Sequence, residues 1–332
     1  MGEQGRLFEL RRVRDDRPEL RGLEFIEVEA RTVINRVPGN RLPFQWTINP
    51  YRGCSHACVY CFARPTHVFL GMNGGRDFES RIVVKVNVAG VLRSQLGRRR
   101  WKGEHIAMGT NTDPYQAAEG KYRLMPGIIR ALIDFRNPFS ILSKGTMMLR
   151  DLDLLLQAAE VTDVHTSYSI GTIDEEAWRK TEPGTPHPLK RVEAVRRLNA
   201  AGIPCGVLMA PILPGISDSP AQLRATAAAV IEAGATHVNP MLLHLKPGVK
   251  EEFMDWLERE YPEKVPAYRV RYQDRTYASS ADRADLDQEM RRVFAQLPRP
   301  ARAAPSHFGG GRRWIGRQTP AAAISEQQLS LL

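Results

Sequence analysis

The chain has 332 residues, 42% of them hydrophobic, enough to bury one sizeable core; its formal net charge of +10 favours a polyanionic partner such as DNA or RNA, or acidic small ligands. Residues 1–16 carry charges throughout with no apolar stretch suited to a secretory signal, and the uncharged run 198–216 is interrupted by Gly202, Pro204, Gly206, Pro211, Pro214 and Gly215, so neither export nor membrane insertion is expected. Three of the four cysteines fall within eight residues, which fits a cytoplasmic metal or redox site and not a disulfide framework.

Residues 1–43 are dense in charge and close on the turn Val37-Pro38-Gly39-Asn40, so they read as an N-terminal arm. Over residues 44–297 short β-rich runs alternate with helical stretches, the pattern of an α/β fold in which helices wrap a parallel sheet. Strands are predicted over 45–49, 105–110, 139–143, 163–170, 204–210 and 236–243, and six strand–helix units suggest a partial barrel. Leu189, Val192, Val195 and Leu198 mark a buried stripe on one intervening helix. Another starts at the cap Ser219 before Pro220, buries Leu223, Ala227, Val230 and Ile231, and stops at Gly234. Residues 298–332, with Pro298, Pro300, Pro305, Gly309-Gly310-Gly311 and a run of alanines, offer little to pack and read as a disordered C-terminal tail.

Chemistry concentrates after the first predicted strand. There Cys54, Cys58 and Cys61 follow the spacing CxxxCxxC, at the carboxyl end of a sheet where α/β active sites form. Three thiolates on one short loop can hold three irons of a cubane and leave the fourth iron open. Structural zinc is the competing reading, but it needs four closed ligands. His56 is the loop's own candidate for the fourth, while Cys205 sits in an apolar strand and reads as core.

The surrounding words narrow the choice. Asn49-Pro50-Tyr51, Tyr60-Cys61-Phe62-Ala63-Arg64 and the run from Gly109 through Thr110, Asn111, Thr112, Asp113, Pro114 and Tyr115 to Gln116 resemble the radical S-adenosylmethionine (radical SAM) superfamily, in its DNA repair photolyase-like branch related to spore photoproduct lyase. The resemblance runs over about residues 30–295. It implies a partial (β/α)6 TIM-type barrel, a 4Fe-4S cluster on Cys54, Cys58 and Cys61, and reductive cleavage of S-adenosylmethionine to a 5′-deoxyadenosyl radical, fed by an external electron donor. It also implies cofactor contacts. Tyr60 packs on the adenine side or anchors the loop; Thr112 and Asp113 bind the methionine amino and carboxylate groups or form a turn; Lys144 meets the carboxylate or is a solvated surface lysine. Ser169 and Thr172 are ribose contacts, with Thr172 alternatively a helix cap. Glu182 and Arg191 match an EP…R pattern that either binds the cofactor or forms a structural clamp. Two departures bear on substrate: Phe62 stands where the family often has Tyr, and no cysteine lies near Thr110 and Asn111, where the lyase has a hydrogen donor. Spore photoproduct repair by that route is therefore not expected, and the substrate does not transfer.

The expected reading is an enzyme acting on a nucleic-acid base or nucleotide that is flipped or single-stranded, with Arg98, Arg99, Arg100 and Lys102 either holding its phosphates or forming a solvated helix end. The alternatives are modification of a peptide or metabolite, and a zinc-stabilised nucleic-acid-binding module without catalysis. At the end of the tail, Gln328, Leu329, Ser330, Leu331 and Leu332 resemble the bacterial sliding-clamp binding pentapeptide; residues 309–323 would then serve as linker. The alternative for that pentapeptide is an amphipathic end docking on its own barrel.

Overall fold

Short apolar runs pair in one direction to make the body of the molecule. The computed structural model describes residues 11–39 and 42–300. Its strands are β1 (Arg11–Arg14), β2 (Glu24–Val28), β3 (Ile34–Arg36), β4 (Trp46–Ile48), β5 (Tyr51–Arg52), β6 (Arg81–Lys85), β7 (Ile106–Met108), β8 (Phe139–Ser143), β9 (Val164–Ser169), β10 (Cys205–Ile212) and β11 (Val238–Leu242). The main sheet runs β11-β10-β9-β8-β7-β4-β3. All neighbours are parallel except the edge pair β3–β4, with registers such as Ile106 opposite Phe139, Phe139 opposite Val164 and Val207 opposite Val238. The six parallel strands are those the apolar runs predict. No pairing joins β3 to β11 among the described residues, so the sheet curls into a barrel that stays open.

Alternation decides which face each side chain takes. Ile106, Ile141, Cys205 and Val207 point outward into the main core against Leu92, Ile128, Leu155, Val195, Ala227 and Met290 from the surrounding helices. The helix Pro220–Glu232 starts with a full capping box between Ser219 and Gln222, and Gly234 follows it at φ +82°. On the helix Pro188–Ala200 the stripe holds only in part: Val192, Val195 and Leu198 are buried, whereas Leu189 is 52% exposed. Steps of three residues fall about 60° short of a full turn each time, so a strict i+3 series drifts off the core face.

The charge-dense N-terminal arm contains structure the apolar pattern did not show. A second sheet, β1-β2-β6-β5, joins it to the residues around the cysteine loop: β2 runs parallel to β6, and β5 pairs antiparallel with β6 immediately before Cys54. Leu20, Phe25, Tyr51, Ile82, Val84 and Ala118 form its own core. A third apolar cluster covers the other side of the loop, where Cys58 and Tyr60 pack with Leu213, Leu245, Phe253, Trp256 and Tyr268.

Arg98, Arg99, Arg100 and Lys102 are exposed but precede β7, at the amino end of the barrel strands. Parallel pairing places that end of the strands opposite the cysteine loop. Among the described residues no helix is long and apolar enough to cross a membrane. Residues 301–332, with the pentapeptide Gln328 to Leu332, lie outside the described residues.

Candidate active site

The site is built from the carboxyl ends of the barrel strands. After β4 and β5 the chain turns at Gly53, φ +80°, where an added Cβ would lie 2.8 Å from both His67 Cε1 and the Phe78 carbonyl oxygen. The loop that follows carries Cys54 and Cys58, both buried, and Cys61, half-buried. Its backbone is tied on several sides: Cys54 N–H donates to the Phe78 carbonyl at 2.9 Å, and Val59 N–H to that of Thr181 at 3.1 Å. Arg64, buried, donates to the Cys58 carbonyl at 2.9 Å and to the Gly75 carbonyl at 3.1 Å. Gly184 approaches so closely that a Cβ there would sit 2.1 Å from the Ser55 carbonyl oxygen.

Burial pushes all three thiols up, and for Cys54 the neighbouring Asp113, Cys61 and Cys58 add to the effect. Three thiols packed this way resist ionising together unless a positive centre neutralises them, which fits the donor set of an iron–sulfur cluster. His56 turns Nδ1 to Asp113 Oδ2 at 3.3 Å.

Beside Cys58, five of the sequence-predicted residues converge. Lys144, at the end of β8, bonds Ser169 Oγ at the end of β9, lies 3.2 Å from Glu182 Oε1, and places Nζ 5.7 Å from the centre of the Tyr60 ring. Tyr60 OH donates to the same Glu182 oxygen. Glu182 Oε2 accepts from Arg191 Nη2 at 2.5 Å, and Arg191 Nη1 donates to the Ser169 carbonyl at 2.8 Å. Burial pushes the Glu182 carboxyl up, but Arg191 and Lys144 outweigh it and hold it at about 2. Both carboxylate oxygens are thus taken by protein donors.

Thr112 and Asp113 lie on the Cys54 side, joined to that network through the Lys144 backbone. Thr112 Oγ1 donates to the Gly53 carbonyl at 2.7 Å. Asp113 accepts from Ser143 Oγ at 2.7 Å, Lys144 N–H at 2.6 Å and Tyr115 N–H at 2.8 Å. Although burial pushes its carboxyl up, His56 and these donors bring it to about 2. Thr172 does not cap the following helix; its Oγ1 accepts from Asp174 N–H at 3.0 Å, and Asp174 is the cap, accepting from Ala177 N–H at 2.8 Å.

Sequence reasoning missed the opposite wall. Phe62, next to Cys61, lies 5.7 Å from the His244 ring, which stacks on Tyr277 at 5.5 Å; Lys246 Nζ stands 5.5 Å from the centre of the Phe62 ring. Burial brings the Lys246 amine down to about 8. No local spacing links residue 62 to residues 244–277; only the return of the chain after β11 brings them together.

Comparison with known proteins agrees with this geometry. A family model described as the Radical SAM superfamily matches residues 48–227. An uncharacterized protein of Mycobacterium tuberculosis is 45% identical over 311 residues, spanning 93% of this chain and 89% of that protein. Spore photoproduct lyase complexed with dinucleoside spore photoproduct superposes with a TM-score of 0.62 at 16% identity, covering 84% of this chain and 81% of that one. A double mutant of that lyase with bound AdoMet and dinucleoside spore photoproduct gives 0.60 at 16% identity, over 80% and 78%. At these identities the lyase likeness is one of fold.

Proposed function

The chain belongs to the radical SAM superfamily of enzymes, and from that premise we propose that it holds a 4Fe-4S cluster on Cys54, Cys58 and Cys61 and cleaves S-adenosylmethionine reductively to act on a nucleic-acid base or nucleotide. The observation that carries the reading is three thiols on one loop at the barrel's carboxyl rim, with Cys58 and Cys61 close enough to act on the Cys54 thiol. Bound there, a cluster with one open iron would chelate the cofactor and supply the electron that breaks its sulfonium bond.

The protein's own part is to bind and orient. Lys144 offers an ammonium at the rim beside Ser169, suited to a carboxylate, and the Tyr60 ring next to it offers an apolar face. Glu182 and Arg191 hold those two residues in place. The wall of Phe62, His244 and Tyr277, with the Lys246 amine beside it, suits the planar base of a nucleotide whose phosphate carries negative charge. A double mutant of the lyase whose fold this chain shares holds AdoMet and dinucleoside spore photoproduct, which supports a nucleotide-like substrate.

Anaerobically purified protein should contain about four irons. Alanine at Cys54, Cys58 or Cys61 should abolish the cluster, whereas Cys205→Ala should retain it. Reduced protein should convert S-adenosylmethionine to 5′-deoxyadenosine and methionine, with turnover raised by single-stranded DNA, RNA or nucleotides. A colourless zinc protein, or a reduced cluster that binds no S-adenosylmethionine, would sink the reading.

A further inference from the structure

We infer that Gln116 is a positioning residue for the first cluster ligand: its side-chain amide grips the peptide groups on both sides of Cys54. The inference rests on the cluster reading above and goes beyond it by assigning a role to a residue outside the ligand set and the cofactor contacts.

Gln116 is fully buried. Its Oε1 accepts from Ser55 N–H at 2.9 Å, and its Nε2 donates to the Gly53 carbonyl at 2.9 Å and to Thr112 Oγ1 at 2.9 Å. Thr112 Oγ1 then donates to the same Gly53 carbonyl at 2.7 Å. The orientation of the amide follows from these partners. A carbonyl can only accept and a backbone N–H can only donate, so the flipped amide would set NH₂ against the Ser55 N–H and oxygen against the Gly53 carbonyl.

Gly53 and Ser55 flank Cys54, so these bonds fix both peptide planes that meet at its Cα. The Cys54 N–H, bonded to the Phe78 carbonyl at 2.9 Å, fixes the loop from the opposite side. With the backbone pinned, the thiol is left little freedom beyond its own side-chain rotation. Cys58 is held differently, through Arg64 and the Thr181 carbonyl. Each of the two buried cysteines thus has its own brace, and only the first depends on an uncharged amide that no local spacing singles out.

Removing the amide should loosen the ligand without dismantling the barrel. The test is the rate at which reconstituted, full-length protein loses iron to a chelator under anaerobic conditions, together with the electron paramagnetic resonance spectrum of the reduced cluster. Gln116→Met keeps the size and loses every bond; Gln116→Glu keeps the acceptor for Ser55 N–H but sets a carboxylate against the Gly53 carbonyl. Both should release iron about tenfold faster or more, the usual scale for losing a group that orients a metal ligand, and both should alter the spectrum.

Gln95→Ala is the control. Gln95 Oε1 also accepts two backbone N–H groups, Val33 at 2.7 Å and Ile34 at 3.1 Å, but it braces β3 rather than the cysteine loop. It should release iron at the wild-type rate. Wild-type kinetics and spectrum in both Gln116 variants, or equal acceleration in Gln95→Ala, would overturn the inference while leaving the cluster reading intact. Wild-type protein that assembles no cluster would overturn both.

Discussion

Arg191 is 1% exposed and Glu182 5% exposed, and a buried charge is tolerable only while it is paired. Arg191 satisfies Glu182, the Ser169 carbonyl and, at 3.0 Å, the Pro186 carbonyl, so it stitches the end of β9 to the loop lying against the cysteines. This makes the pair a clamp, one of the two roles its sequence pattern allows. Arg191→Met should leave the buried Glu182 carboxylate with Lys144 as its only cation beside the neutral Tyr60 hydroxyl, and cost about 3 kcal/mol or more in urea unfolding. Lys144→Ala should behave differently, weakening S-adenosylmethionine binding while the cluster is retained and stability changes by only about 1 kcal/mol. Equal stability of Arg191→Met and wild type would mean that the clamp contributes nothing to the fold. Legibility also differs by residue. The cysteines announce themselves by spacing, whereas Arg64 and Gln116 stand within the motif words but brace the loop through backbone groups, a role those words do not show.

The amino ends of the barrel strands hold a second set of ionisable groups, half-buried. His105 precedes β7, His165 lies in β9 and His237 precedes β11, where its ring fills the space a side chain on Gly206 would need, 2.0 Å from the added Cβ. Burial lowers all three, and repulsion from His165 lowers His105 and His237 further, so that His105 falls to about 4 despite nearby Asp163. Folded-state values below the unfolded value of 6.5 mean that the unfolded chain takes up protons first as pH falls. Stability contributed by the neutral rings is present above pH 6.5 and is lost as pH falls below it, for His105 over the window down to about 4 at up to about 1.4 kcal/mol per pH unit. Urea midpoints measured from pH 7 to 4.5 should show this decline, and His105→Gln should flatten it; a pH-independent midpoint would contradict the burial argument.

At this same scale the parallel strands were legible because each is a local apolar run. The sheet β1-β2-β6-β5 was not, since β1 is mostly arginine and β2 carries Glu24 and Glu27 within a charge-dense arm, so neither reads as an apolar run. Helix faces were legible only where the spacing mixed steps of three and four, which is why Leu189 left its stripe.

For the molecule as a whole, we propose that the formal charge of +10 attracts DNA without sequence preference, an attraction that would weaken steeply with salt. A different route to DNA is proposed for Gln328, Leu329, Ser330, Leu331 and Leu332, whose pattern resembles the bacterial sliding-clamp binding pentapeptide. In an extended peptide, alternate leucines can enter apolar pockets while Gln328 supplies directional hydrogen bonds. The two routes separate by their salt response, because residues 320–332 include one charged side chain, Glu326, whereas the whole chain is strongly basic. Binding of a fluorescent peptide of residues 320–332 to purified clamp should therefore saturate at roughly micromolar concentrations and change little with added salt. Nucleic-acid binding by the full chain should fall steeply over the same range. A clamp-bound chain would then be held at high local concentration near DNA even where salt suppresses the electrostatic route. The double substitution Gln328→Ala/Leu331→Ala should abolish saturation. Equal binding by that control peptide, or none by the original, would reduce the resemblance to chance and leave charge as the chain's own means of reaching DNA.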